Sequence, residues 1–502
     1  MKTLNQLEVW LVTGSQHLYG QKTLDQVASH SKEIAAAFDA SSDIPVKVVC
    51  KPTGTGSAEI HKICREANGA ENCIGLITWM HTFSPAKMWI HGLQELRKPI
   101  LHLHTQYNKE IPWKEIDMDF MNLNQSAHGD REFGHIMARM RMDRKVVVGH
   151  WQDPKVVSKV AGWSRVAAAW ADSQDMLIIR FGDQMNNVAV TDGDKVEAER
   201  VFGYHVDYSP IADLVKVQDN VSDEDVAELV KIYESEYDLA DNCKEGGEAR
   251  NQVVHAARIE IGLRRYLEKK GAKAFTTNFD DLEGVDQLPG LASQRLMADG
   301  YGFGAEGDWK TAALCRQMWF MSQGMSDYKG CSFLEDYTLN FDGEKSSILQ
   351  AHMLEVCPLI ADHKPKLEVH PLGIGGKNDP ARLVFTSKTG SGVAATVIDM
   401  GSRFRMIINT VDCIDSQELP KLPVASALWI PQPNFEVGAA AWILAGGTHH
   451  TSFSYDLTVE DLQDFAEMAG IEAVVIDKGT KIPEFKKELQ WNDLYYHLAK
   501  GL

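Results

Sequence analysis

Short apolar runs and stretches of helical periodicity alternate along the first third of the chain. Val9-Trp10-Leu11-Val12-Thr13 ends at a glycine turn, and Leu24, Val27, Ala28, Ile34, Ala35 and Phe38 then recur at roughly helical spacing. Val46 to Val49, Ile74 to Trp79 and Ile100 to Leu103 repeat the short apolar signal, with helical stretches between them. Strands separated by helices of this length predict βαβ crossovers and a parallel sheet. Ligands of such sheets bind at the carboxyl ends of strands, where Gly14–Gly20 and His81–Lys87 fall.

A second α/β unit is predicted from Met176-Leu177-Ile178-Ile179-Arg180-Phe181, another apolar run that leads into the polar turn at Gly182-Asp183. Ser222 with Asp225 resembles a capping box at a helix start, Ala274 to Phe279 reads as a strand, and Thr311 to Ser322 as a helix. After Gly324 the texture changes. Gly392 to Met400 and Arg403 to Val411 are rich in Val, Ile and Thr between turn residues, which predicts mainly antiparallel β structure. Thr458 with Asp461 caps a late helix ahead of the strand Ala473 to Ile476. The domain expectation is therefore 1–175, 176–325 and 326–502, in line with about three domains of roughly 150 residues each.

Charge narrows the partners. Lys and Arg number 51 against 70 Asp and Glu, a formal charge of −19. Nucleic acid and anionic membranes need a cationic footprint that this balance disfavours. The segment Met1 to Leu7 lacks the charged-then-apolar pattern of a secretory signal, and no stretch is apolar for long enough to span a bilayer. The eight cysteines are scattered without a CxxC pair and read as reduced core thiols, so a cytoplasmic location is expected.

The candidate chemistry lies in four later segments: Gly302-Phe303-Gly304-Ala305-Glu306-Gly307-Asp308, Ser332-Phe333-Leu334-Glu335-Asp336-Tyr337, His352-Met353-Leu354-Glu355-Val356-Cys357-Pro358 and Ala445-Gly446-Gly447-Thr448-His449-His450-Thr451. Two carboxylates and two imidazoles suit a hard-to-borderline divalent cation with positions open for substrate. Each residue also has an ordinary alternative. Glu306 reads as a solvated loop carboxylate, Glu335 as a salt-bridged strand residue, and His352 as a satisfied histidine at a strand end. Of the adjacent pair His449 and His450, at most one is expected to be a ligand. The Gly373-Ile374-Gly375-Gly376-Lys377 run is not a phosphate loop, because Asn378 stands where Ser or Thr is needed. Trp10, Trp79 and Trp89 read as core, and Asp117 to Gln125 as a solvated loop beside a short apolar turn.

Gly14-Ser15-Gln16-His17-Leu18-Tyr19-Gly20, His81-Thr82-Phe83-Ser84-Pro85-Ala86-Lys87-Met88-Trp89 and Asp117 to Gln125 join those four segments. Together, and in this order, they resemble the bacterial L-arabinose isomerases nearly end to end. The resemblance implies two Rossmann-like parallel α/β domains followed by a C-terminal β-rich, barrel-like domain, and a homohexamer. It implies one Mn2+ per subunit, with ligands at Glu306, Glu335, His352 and His450, and makes the two glutamates the acid/base pair. Gln16, Leu18, Tyr19, Phe83, Met185 and Phe279 match positions that line the substrate pocket. The implied reaction is L-arabinose to L-ribulose through an enediol, with D-galactose to D-tagatose as a side reaction. A metal-assisted hydride shift uses the same ligands. A related metal-dependent isomerase of the L-fucose isomerase type and a non-catalytic sugar-binding protein are the alternatives; the latter has no need of two metal-bound carboxylates.

Overall fold

The computed structural model describes residues 3–373, 376–417 and 419–501. Met1 and Lys2 of the N-terminal segment, and Ile374 and Gly375 of the rejected phosphate loop, lie outside the described residues. The chain folds as two compact units, Met1–Ala171 with Gln323–Asp327, and Asp172–Ser322 with Tyr328–Leu502.

The first unit is built on a parallel five-stranded sheet of β1 (Glu8–Gly14), β2 (Lys47–Cys50), β3 (Cys73–Met80), β4 (Ile100–His104) and β5 (Lys145–Val148), in the order β2-β1-β3-β4-β5. All eight residues of β3 are buried, as suits a central parallel strand covered on both faces. At the edge, Val146 and Val148 of β5 are exposed. Trp10, Trp79 and Trp89 are buried, as expected. The strand order reverses between β1 and β3, and the crevice beyond their carboxyl ends is where such folds bind ligands. Gly14 ends β1 there, and a Cβ on it would lie 2.6 Å from Met80 Sδ and 2.8 Å from Ser84 Cβ. The missing side chain lets the two loops meet, and Ser15 Oγ lies 2.8 Å from Thr82 Oγ1.

One expectation in this unit is overturned. Within the Asp117–Gln125 segment the chain forms a short helix, Met118–Leu123, rather than a loop. The physical reason is its cap: the Asp117 carboxylate accepts the Phe120 backbone N–H at 2.8 Å, satisfying an otherwise free donor of the first turn.

The second unit holds two larger sheets and a small one. The parallel sheet comprises β6 (Met176–Phe181), β7 (Tyr204–Ser209), β9 (Ala274–Thr277) and β10 (Gly302–Ala305), in the order β10-β9-β6-β7; the short β8 (Asp238–Leu239) pairs elsewhere. The β-rich part contributes β11 (Cys331–Asn340), β12 (Ser347–Ala351), β13 (Lys366–Val369), β14 (Ala381–Val384), β15 (Gly390–Asp399), β16 (Phe404–Ile414), β17 (Ser426–Pro431), β18 (His450–Ser454) and β19 (Glu472–Ile476). Seven of these run in the order β15-β18-β11-β12-β17-β16-β19, and β15 also pairs with β16. That extra pairing closes an antiparallel ring, with β19 added in parallel on β16. Closure removes the open edges of the ring, and Leu334, Ala394, Ala427, Trp429 and Phe453 are buried there. Strands β14, β13 and β8 form the small sheet. Among the described residues no helix is long and apolar enough to cross a membrane.

Candidate active site

Glu306 follows β10, whose four residues are all buried. A Cβ on Gly302 would lie 2.0 Å from Ala312 O, and one on Gly304 2.2 Å from Asp308 O. Both glycines are thus required for the helix Trp309–Met321 to lie against the strand. The turn between them is tight. Glu306 has φ +60°, a left-handed conformation rare outside glycine, and Gly307 follows at φ +84°. Such a residue costs of order 1–3 kcal/mol and persists where its surroundings hold it. Part of that hold is the Met185 backbone N–H, which donates to Glu306 O at 3.2 Å.

The other three residues come from the ring. Glu335 on β11 sits directly across from His450 on β18 and from Ala351 on β12, and His352 is the next residue after β12. His352 Nε2 lies 3.8 Å from Glu335 Oε2, and His450 Nε2 lies 3.9 Å from Glu306 Oε2. Phe333, two residues before Glu335 and fully buried, meets both imidazoles edge-on with ring centroids 5.2 Å away. The four predicted metal-type residues, drawn from distant parts of the sequence, are therefore neighbours.

Each histidine is fixed from behind by a carboxylate. Asp308 Oδ2 lies 3.1 Å from His450 Nδ1, and Glu355 Oε2 lies 2.5 Å from His352 Nδ1. Asp308 also caps the helix Trp309–Met321, accepting from Thr311 N at 3.2 Å and Thr311 Oγ1 at 2.7 Å. Its burial works to raise the carboxyl, but Lys310 and His450 outweigh this and hold it well below the usual carboxylate range. For His352, burial works against the charged form, but Glu355, with Glu335 and Glu306, outweighs it, so its pKa is raised. Burial raises the Glu335 carboxyl against the pull of His352 and His450.

His450 is fully buried, and its Nε2 has no hydrogen-bond partner. A buried polar atom left unpaired is costly. With Nδ1 tied to Asp308 and Nε2 turned toward Glu306, this imidazole has the bearing of a metal ligand with its outer partner in place. His449 also comes close: the ligand-type atoms of Glu306, His449 and His450 lie within 4.8 Å of one another. Burial lowers the His449 pKa to about 4, so it is neutral at pH 7. Two carboxylates with the buried His450 and the partly buried His352 at this spacing fit a divalent cation.

Glu306, Glu335, His352 and Glu355 line a cavity of about 210 Å³, together with Phe279 and Tyr337. Of the predicted pocket residues in this unit, Phe279 is therefore at the cavity wall, whereas Met185 is joined to the site through its backbone. Gln16, Leu18, Tyr19 and Phe83 belong to the first unit, at the carboxyl end of its sheet. There Gln16 Nε2 donates to Phe83 O at 3.0 Å, Tyr19 Oη donates to Gln125 Oε1 at 3.3 Å, and Leu18 is 81% exposed. Sequence reasoning gave no part to Asp308, Glu355 or Phe333. The available signals are Glu355 three residues after His352, Asp308 at a helix start, and Phe333 on the same strand face as Glu335.

Comparison with known proteins agrees with this architecture. Residues 3–175 match the model of the L-arabinose isomerase N-terminal domain, 177–324 that of the central domain, and 330–472 that of the C-terminal domain. An L-arabinose isomerase of Phocaeicola vulgatus is 65% identical, covering 100% of this chain and 99% of the relative. Those of Bacteroides thetaiotaomicron and Herpetosiphon aurantiacus are 63% and 59% identical, each over at least 99% of both chains. The fold and these matches define an isomerase, an intramolecular oxidoreductase that interconverts aldose and ketose. The chain belongs to the L-arabinose isomerase family.

Proposed function

We propose that the chain converts L-arabinose to L-ribulose and requires one Mn2+ per subunit, held by Glu306, Glu335, His352 and His450. The observation that carries this reading is the pair of carboxylate-backed imidazoles. Asp308 and Glu355 each hold one Nδ1, and each Nε2 then faces a glutamate. Mixed oxygen and imidazole donors favour Mn2+ over the harder Mg2+. The cavity, at about 210 Å³, is below the roughly 300–1,000 Å³ of drug-sized sites and suits a small sugar.

A divalent cation held by Glu306, Glu335, His352 and His450 would supply Lewis acidity at the carbonyl end of the open-chain sugar, which would make the hydrogen on C2 more acidic. The remaining work belongs to the side chains. One of Glu306 and Glu335 takes the proton from C2, leaving a cis-enediol, and C1 is then protonated while the other glutamate moves protons between the two oxygens. Burial lets Glu335 hold a proton more readily than a solvated glutamate.

The reading extends to a cytoplasmic homohexamer, as the family resemblance implies, in which Gln16 to Tyr19 of a neighbouring copy help to close the pocket. The exposed Leu18 supports an intermolecular role, and symmetric assembly is the usual outcome for soluble oligomers. All eight cysteines are free, and seven of them are buried, as suits a reducing compartment. Sedimentation at assay concentration checks the assembly: a fully active monomer contradicts it.

The substrate assignment is tested by kcat/KM for L-arabinose and L-fucose under saturating Mn2+. A clear preference for L-arabinose is expected. A preference for L-fucose, or no turnover of L-arabinose, moves the assignment to the L-fucose isomerase type.

A further inference from the structure

A second group of metal-type ligands stands in the first unit, on the helices Ser57–Gly69 and Ile90–Glu95. These helices approach closely at Gly92, where a Cβ would lie 2.9 Å from Cys64 Sγ and 3.3 Å from the Cα of His61. Asn68 fastens the pair: its side-chain amide donates to Glu95 O at 2.7 Å, and its Oδ1 accepts the Arg97 backbone N–H at 2.9 Å. His91 and Glu95 are one helical turn apart and share a face, and the close packing sets His61 against that face. His61 Nε2 lies 3.0 Å from Glu95 Oε2, and the His61 and His91 ring centroids are 4.1 Å apart. The ligand-type atoms of all three residues fall within 4.8 Å of one another. His61 Nε2 is shielded from solvent and faces the Glu95 carboxylate.

We propose that His61, His91 and Glu95 bind a divalent zinc-type cation that clamps these two helices together, apart from the sugar chemistry. Two imidazoles and one carboxylate, with water as a fourth ligand, meet the tetrahedral preference of Zn2+. A single carboxylate offers too few oxygens for Ca2+ or a dedicated Mg2+ site. Cys64 Sγ is not among the ligand-type atoms that come together here.

The test is equilibrium dialysis of the full-length, Mn2+-saturated protein against Zn2+, with the metal content and melting temperature of wild type compared with His91→Ala and Glu95→Gln. His91 is exposed, so its removal leaves the packing of the first unit intact. Wild type should hold one more Zn2+ per chain than His91→Ala. Affinity for that equivalent should fall by more than about 10-fold, the lower end of what losing even an outer partner costs a metal site. Zn2+ should raise the melting temperature of wild type more than that of either variant. Equal zinc content and equal thermal response in wild type and His91→Ala would overturn the proposal.

Discussion

Asp308 Oδ2 lies 3.1 Å from His450 Nδ1, and this contact leaves His450 only its Nε2 to offer toward Glu306. The carboxylate thereby sets the tautomer and direction of the imidazole. Asp308→Asn retains a good helix cap but removes the charge behind His450. Mn2+ affinity, read from activation titrations, should fall by about 10–100-fold, and the melting temperature should fall as well, because the buried Lys310 loses its carboxylate partner. Unaltered Mn2+ activation would show that Asp308 serves the helix alone.

The glutamates are predicted to matter more for turnover than for folding. Glu306→Gln and Glu335→Gln should each lower kcat by about 10²–10⁴-fold, the usual loss when a positioned acid or base is removed. His449→Ala should be milder than His450→Ala; the reverse order moves the ligand back by one residue. Deuterium at C2 of L-arabinose separates the two chemical routes. Proton transfer through a glutamate releases label to water, whereas a hydride shift carries all of it to C1.

Much of the fold is legible in the sequence because the physics is local. The apolar run Ile74 to Trp79 gives β3 since a strand covered on both faces needs no alternation. Ser222 and Thr458 both cap helices, each accepting a backbone N–H from the aspartate three residues on. Strand β7 escapes because its Asp207 and Tyr208 are exposed. The helix Phe435–Ala445 escapes because it lies within a region otherwise rich in strand signals. The site divides in the same way. Its four metal-type residues can be named by resemblance, but their meeting depends on β11 pairing with both β12 and β18, a register set by closure of the ring. Asp308 and Glu355 acquire their roles only through that meeting.

Stability should depend on an ion pair away from the cavity. Arg316 is fully buried, with its Nε 2.8 Å from Asp172 Oδ2, and Lys273 Nζ lies 2.9 Å from Asp172 Oδ1. Burial tends to raise the Asp172 carboxyl, but Arg316 and Lys273 outweigh it and the net shift is downward. Asp172→Asn should destabilise the protein by about 3–5 kcal/mol near pH 7, since it leaves a buried guanidinium uncompensated. The folded carboxyl lies below its unfolded value of about 3.9. Its contribution is therefore complete above that value and is lost as pH falls through the lower folded value. Denaturant melts of wild type and Asp172→Asn should differ fully at pH 6 and converge below about pH 4. An equal gap at both ends contradicts this.

Discrimination between sugars should be substantial but incomplete. D-galactose shares the C2, C3 and C4 configuration of L-arabinose and adds a hydroxymethyl group on C5. A misfit of that size is worth about 1–3 kcal/mol, or roughly 10–200-fold in kcat/KM. Phe279 at the cavity wall is one place for the crowding. Phe279→Leu should narrow the ratio of L-arabinose to D-galactose kcat/KM; a wider or unchanged ratio places the crowding elsewhere.

The most direct test is ketose formation from L-arabinose by protein stripped of metal with a chelator, before and after adding Mn2+ or Mg2+. Turnover should vanish on stripping and return with Mn2+, more fully than with Mg2+, because the His352 and His450 imidazoles favour the softer ion. Full turnover by rigorously metal-free protein would contradict the account.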